Sequence, residues 1–418
     1  MFYNKQQGIL PFVMWLFPLS FFTYQFILRL WPGLMMQQIM QQFMIDATEF
    51  GLLASCYYYG YAAMQIPVAM ALDRYSPRYV VFLSALVCGI AAATLSYTEN
   101  WYIALISRCC IGAGSAVGFL GTSKVVSQWF SQEQYARMIG FTFTIGLMGA
   151  IYGGKPVSIM VMSLGWYKVS IILSSVAVII GILTYLFLRA PTTDTNLTEI
   201  TAVLQIRDFR KLINSPVMWI LAIANLLMVG SLEGFADVWG VPYLMTTYHI
   251  AKGDAAELIS FIFLGMLVGG PVLALCAKKL GNYLVISLCG MIMAIIFAQL
   301  LWLSNSEISL LLLRCLFVII GIMCCYQVLI FAIGCELVEA KLLGVTVAFL
   351  NCINMLGGVF FHTSIGFIMD LFWTGKMQDD LRIYSVESYS YALSIIPLCA
   401  LIGASMVLLV RVIIAKRK

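Results

Sequence analysis

Apolar runs of about twenty residues or more recur along the chain, separated by short polar connections. At 1.5 Å of rise per helical residue, each run is long enough to cross about 30 Å of hydrocarbon. The pattern predicts twelve helices, over about 10–36, 49–72, 79–97, 101–127, 138–162, 168–188, 217–245, 255–277, 282–303, 307–333, 342–371 and 388–414. One polar connection is much longer than the others, RAPTTDTNLTEITAVLQIRDFRKLINSP at about 189–216, and it carries four basic residues. It divides the chain into an N-terminal domain at 1–190, a linker at 191–216 and a C-terminal domain at 217–418.

Composition agrees with lipid as the solvent. With 62% hydrophobic and 10% charged residues over 418 positions, a soluble fold would have to hide more apolar surface than folding can bury. The expected class is an all-α polytopic membrane protein. The formal net charge of +5 is spread over short loops, which argues against nucleic acid as a partner and makes the basic residues topology signals. With both termini in the cytoplasm, fifteen lysines and arginines fall on the cytoplasmic side, Lys5, Arg207, Arg210, Lys211 and Lys341 among them, and only Lys168, Lys252, Lys376 and Arg382 fall on the other. With an even number of spans, that asymmetry predicts an inside-inside topology; the expected location of this multi-pass protein is the inner membrane. The first apolar run is too long for a signal-peptide core and is expected to stay as the first helix. The twelve cysteines lie mostly inside apolar segments without metal or redox spacing, so they read as small apolar filler. No metal and no cofactor is expected. Nor is an enzyme, since the chain has no His-Glu-x-x-His, nucleophile elbow or phosphate-binding glycine loop.

The two halves repeat each other faintly. Pro67–Tyr79 (PVAMALDRYSPRY) matches Pro271–Tyr283 (PVLALCAKKLGNY) at an offset of 204, Arg108-Cys109 recurs as Arg314-Cys315 at 206, Lys155 falls on His362 at 207, and Arg29 with Trp31 falls on Asp237 with Trp239 at 208. A duplicated hydrophobic chain with ionisable groups on corresponding helices is the layout of an alternating-access transporter.

The run GYAAMQIPVAMALDRYSPRYV, with Asp73, Arg74 and Arg78, resembles the helix 2–3 loop signature of the major facilitator superfamily (MFS). Arg108 followed by Gly112, Gly114 and Gly118 resembles the helix 4 motif of that family, and the glycines of GFTFTIGLMGAIYGGKP resemble its helix 5 motif, which lets helices pack closely. FILRLWPGLM, followed by FGLLASCYYYGYAAMQIP, is similar to bacterial members that carry organic anions, sugar acids or sugar phosphates and commonly have a helix 1 arginine. Two departures stand out: Lys155 where many members place a small residue, and Ala277-Lys278 where a second Asp-Arg would complete the repeat. The resemblance implies the MFS fold, about 12 transmembrane helices in two pseudo-symmetric six-helix bundles around a central cavity. It also implies that Asp73, Arg74 and Arg78 form a cytoplasmic gate element.

An unpaired charge inside a span costs about 2.5–3.5 kcal/mol on insertion scales, so each buried ionisable group needs compensation. Arg29, Lys155, Glu233 and Asp237 all lie well inside predicted spans. By the resemblance, Arg29 faces Asp237 and Lys155 faces His362 across the cavity. A guanidinium in such a site is a bidentate anchor for a carboxylate or phosphate. Arg29, Lys155, Tyr59, Arg108 and His362 are therefore the candidate substrate-binding residues. Arg108 could equally snorkel to the interface; Lys124, near the inner end of its helix, reads as snorkelling; the tyrosines could simply pack, with one face reaching the cavity; Arg314 reads as packing; and a hydroxyl or backbone carbonyl could satisfy His362. Glu233 and Asp237, spaced i to i+4, share one helix face and are the candidate proton-coupling pair, with a gate-locking Arg29–Asp237 ion pair as the compatible structural alternative. The expected function is proton-coupled secondary transport of a small organic anion or zwitterion by a monomer, whose partners are that small molecule, H+ and the lipid bilayer. Amino acid or peptide uptake, a polycarboxylate such as a siderophore, efflux, and a non-transporting membrane receptor are the alternatives.

Overall fold

The structure is a computed structural model and describes residues 8–191, 212–303, 308–339, 342–378 and 380–415. Most of the linker at 191–216 lies outside the described residues, as do Lys5, Arg207, Arg210, Lys211, Lys341 and the last three residues.

The predicted helices are present, and their ends are set by local chemistry. They are α1 (Leu10–Leu34), a short α2 (Met36–Phe43), α3 (Ala47–Arg74), α4 (Pro77–Tyr97), α5 (Trp101–Ser115) continuing after a break into α6 (Val117–Trp129), α7 (Gln132–Leu164) and α8 (Trp166–Phe187). After the linker come α9 (Pro216–Met228), a π-helical stretch Gly230–Trp239, α10 (Gly240–Tyr248), α11 (Lys252–Leu280), α12 (Asn282–Ala298), α13 (Leu310–Cys324), α14 (Tyr326–Glu336), α15 (Leu343–Leu371), α16 (Val386–Leu393) and α17 (Ile395–Ala415). Side chains that accept from first-turn N–H groups fix several starts: Asn100 for α5, Ser215 for α9, Ser309 for α13 and Ser385 for α16. Ser131 and Gln134 form a reciprocal capping box on α7. Gly281 ends α11 at φ +83, a conformation that residues with a Cβ rarely adopt.

Among the described residues, 11 helical segments are long and apolar enough to cross a membrane. The remaining long helix, α3, has 28 residues but carries Glu49, Asp73 and Arg74 at its ends.

The chain divides into two compact units. One holds the residues up to Phe43 and from Cys56 to the linker; the other holds Met44–Ser55 and the chain beyond the linker. Helix α3 therefore starts in the second unit and ends in the first, an assignment that no pattern in the sequence announces.

In the first unit, Met14, Trp15, Leu19 and Phe22 of α1 pack with Val125, Val126 and Trp129 of α6 and Met138 of α7. The glycines of α7 let it approach α1 to backbone contact, since a Cβ on Gly149 would strike the Thr23 carbonyl. Within the second unit, the start of α3 lies against α15 in the same manner: Gly51 meets the His362 carbonyl, and Gly366 meets that of Ala47.

Asp370, at the end of α15, gathers the polar groups around that contact. It accepts from the Thr48 N–H at 2.7 Å, the Thr48 hydroxyl at 2.5 Å, the Tyr384 hydroxyl at 2.5 Å and Arg382 Nη1 at 2.9 Å. Arg382 also reaches Asp46 at 3.3 Å. A two-strand hairpin, β1 (Met377–Gln378) with β2 (Leu381–Arg382), holds Arg382 in place.

Candidate functional site

In the first unit the site begins at Pro32, inside α1. Proline has no N–H to give to the carbonyl four residues earlier, and its ring crowds that carbonyl. The carbonyl belongs to Leu28. Arg108 of α5 fills the gap, donating from Nη1 to the Leu28 oxygen at 2.7 Å and from Nη2 to the Arg29 oxygen at 3.0 Å. Arg108 is 1% exposed. Its long side chain does not snorkel outward but turns inward onto α1.

The rings under the two guanidiniums come from α3. Arg108 Cζ stands 4.8 Å from the Tyr57 ring centroid, and Arg29 Cζ stands 5.4 Å from that of Tyr58, within the range of cation–π attraction. Tyr57 and Tyr58 pack edge to face at 5.4 Å, and the Tyr57 hydroxyl donates to Gln25 Oε1 at 2.8 Å. Tyr59, the tyrosine singled out in the sequence, is 50% exposed, so the aromatic floor is made by its two neighbours. Close packing of α5 on α3 sets the Tyr57 position: a Cβ on Gly112 would overlap the Tyr57 carbonyl. Arg29 is half-buried, and so is Lys155, one turn beyond Ile151 on α7 and directly before Pro156.

The gate-element residues lie elsewhere in the same unit. Asp73 accepts from Lys124 at 2.8 Å, Arg78 lies 4.5 Å from the Tyr185 ring, and Arg74 is exposed. Lys124, partly exposed, thus has a carboxylate partner.

In the second unit Glu233 and Asp237 sit on the π-helical stretch, where the N–H of Gly240 bonds to the carbonyl of Phe235 five residues back. Such stretches are rare and cluster at functional sites. Glu233 is fully buried and Asp237 nearly so. Asn354 Nδ2 of α15 lies 3.4 Å from Glu233 Oε1, and buried Asn225 of α9 gives its carbonyl to the Tyr326 hydroxyl at 3.0 Å. His362 is fully buried on α15. Arg314, the repeat partner of Arg108, does not share its role: it pairs with Glu257 at 3.2 Å and lies over Phe261, partly exposed. Among the described residues no three His, Cys, Asp or Glu side chains are placed to hold a metal.

Sequence reasoning missed Gln25, Pro32 and Asn354, and it named the tyrosine run without choosing Tyr57 and Tyr58. The usable signals were uncharged amides deep in spans (Gln25, Asn354) and a proline four residues after Leu28, which frees a carbonyl.

Among the described residues, twelve long helices, eleven of them apolar enough to span a bilayer and several carrying buried ionisable groups, define a polytopic helical membrane protein. The profile of the Major Facilitator Superfamily matches residues 15–362, and the chain belongs to that family.

The chain is similar to a probable L-galactonate transporter of Escherichia coli (strain K12), 25% identical over 253 residues, 56% of this chain and 55% of that protein. It is also similar to a hexuronate transporter of Bacillus subtilis (strain 168), 24% identical over 145 residues, 35% of this chain and 34% of that protein. The matched stretches thus span about half or less of these relatives' length. Among solved structures, a bacterial homolog of the human lysosomal transporter Spinster, inward-facing and occupied, superposes with a TM-score of 0.77 at 16% identity over 97% of this chain and 98% of that one. The nucleoside transporter NupG superposes with a TM-score of 0.73 at 12% identity over 95% and 98%. At these identities the likeness is one of fold.

Proposed function

We propose that the protein is a secondary active transporter of the inner membrane, with cytoplasmic termini, that moves a small organic anion of the sugar-acid class by alternating access, coupled to protons. The observation that carries the reading is Arg29: a half-buried guanidinium in the last third of a membrane-spanning helix, backed by the Tyr58 ring, with its own backbone carbonyl held by a second, buried arginine. A guanidinium in such surroundings is weakly hydrated and offers a carboxylate two parallel hydrogen bonds. The relatives whose names specify galactonate or hexuronate carry substrates with one carboxylate on a polyhydroxyl body, and support this class.

Proton coupling is assigned to Asp237 with Glu233, carboxylates buried on the π-helical stretch. Carboxylates inside a span are costly to place there and commonly serve in proton relays.

The test is flux of galactonate and glucuronate into proteoliposomes, with and without an inward proton gradient. The expected result is counterflow in both conditions and accumulation only with the gradient. Arg29→Lys keeps the charge but loses the fork, and should weaken apparent affinity about tenfold or more. Binding without counterflow would identify a receptor instead, and Arg29→Ala with unchanged affinity would remove Arg29 as the anchor.

A further inference from the structure

We infer that Arg108 is a positioning residue, not a substrate contact: it replaces the hydrogen bond that Pro32 removes from α1 and thereby fixes the backbone that carries Arg29. The inference rests on the reading of Arg29 as the anion anchor and deepens it.

The geometry is specific. An α-helical N–H donates to the carbonyl four residues earlier, so Pro32 deprives Leu28, and Leu28 immediately precedes Arg29. A buried carbonyl without a donor costs about as much as a lost hydrogen bond, and more when the missing donor is charged. Arg108 meets this need at 2.7 Å and then spans to the next carbonyl at 3.0 Å. Guanidinium geometry suits the task, because two amino groups of one plane reach two consecutive backbone oxygens; a lysine holds its donors on one nitrogen and lacks the fork. Tyr57 closes the far side, with its ring 4.8 Å from the Arg108 carbon and its hydroxyl tied to Gln25, one helical turn before Arg29. The break in α1 and the buried charge on α5 thus compensate each other. A helix that lacks one backbone bond at proline is tied at that point, beside Arg29, by a side chain from another helix.

This separates Arg108 from its repeat counterpart on a physical ground. Arg314 has Glu257 as a charged partner, and the position matching Pro32 in the second half, by the same offset of 208, is Gly240, whose N–H donates within its own helix. The second half has its own proline nearby, Pro242, two positions further on, yet Arg314 stays with Glu257 and is not drawn onto that helix.

The experiment is a double-mutant cycle on the full chain with Arg108→Met, Pro32→Ala and the pair, alongside Arg29→Ala. It reads galactonate affinity and, without anion, melting temperature in detergent. Arg108→Met should weaken galactonate binding about ten- to a hundredfold. Pro32→Ala restores an N–H for the Leu28 carbonyl, so the pair should recover most of that affinity and lose less melting temperature than the two single changes added together. Arg108→Lys should fall between wild type and Arg108→Met, and it takes the place of Arg108→Met if that variant is not monodisperse. A direct anion contact predicts no rescue by Pro32→Ala, and unchanged affinity in Arg108→Met excludes any role at the site; either result overturns the inference. If Arg29→Ala binds galactonate as the wild type does, the anchor reading fails and the positioning role falls with it. If Arg29→Ala loses binding but Pro32→Ala gives no rescue, the positioning role fails alone.

Discussion

Replacing Tyr384 by Phe removes one oxygen from the second unit and should unfasten the start of α3 from α15. The hydroxyl serves two partners, donating to Asp370 at 2.5 Å and accepting from the Ala47 N–H at 2.9 Å. Tyr384 is 5% exposed and Ala47 fully buried, so water does not replace the lost oxygen freely. A hydrogen bond to a charged group is worth about 1.5–3 kcal/mol, and an orphaned buried N–H costs about 1–3 kcal/mol. The two losses share an atom and relax together, which places the expected destabilisation at about 2–4 kcal/mol. Thr48→Val removes only the Oγ1 bond and leaves the backbone donor, so about half that cost is expected.

The assay is denaturant unfolding of the full chain in detergent micelles. Its pH dependence adds a second check. Burial, and next the hydrogen bond to Asp370, raise the Tyr384 phenol well above its usual value. A group whose folded-state value is raised stabilises the fold fully below its unfolded value, about 10 for tyrosine, and loses that contribution as pH climbs through the folded value. The Tyr384→Phe penalty should therefore be flat from about pH 6 to 9 and shrink only above about 10. A penalty under about 0.5 kcal/mol, in the range of ordinary surface substitutions, would refute the reasoning.

Three further outcomes are expected. Asp237→Asn should abolish pH-driven accumulation in proteoliposomes while sparing galactonate counterflow, with Glu233→Gln a milder version of the same split; accumulation that still follows the gradient would place the proton elsewhere, His362 being the next group to test. Lys155→Met should slow uptake and alter its pH profile, and wild-type rates at every pH would free Lys155 of a transport role. Gly112→Ala should cost about 1–3 kcal/mol by overpacking α5 on α3 and, by moving the Tyr57 ring from beneath Arg108, lower galactonate affinity as well; stability unchanged in the same micelle assay would contradict the backbone contact.

Much of the helical layout was legible because the bilayer imposes one length and one polarity on every span. Helix ends such as Asn100, Ser215 and Gly281 carry their own capping and turn chemistry. Buried charges were legible for the same reason: Arg29, Glu233 and Asp237 stand out against apolar neighbours. What those charges touch was not. Neutral groups supply the partners, the Leu28 carbonyl for Arg108 and the Asn354 amide for Glu233, and a carbonyl has no letter in a sequence. The π-helical winding of Gly230–Trp239 was hidden as well, since i to i+4 spacing puts two carboxylates on one face with either winding. The Asp370 cluster escaped because its members come from three separate stretches, Asp46–Thr48, Asp370 and Arg382–Tyr384, each unremarkable by itself.

The winding of Gly230–Trp239 has a mechanical meaning. A π turn takes up more residues than an α turn and advances less along the axis, so these ten residues hold slack in an otherwise taut rod. Were they to rewind as α-helix, the chain beyond, Gly240–Tyr248, would swivel about the rod and slide outward, and both carboxylates would change bearing relative to Asn354. Such a stroke needs no loop and no hinge; the screw thread itself supplies it.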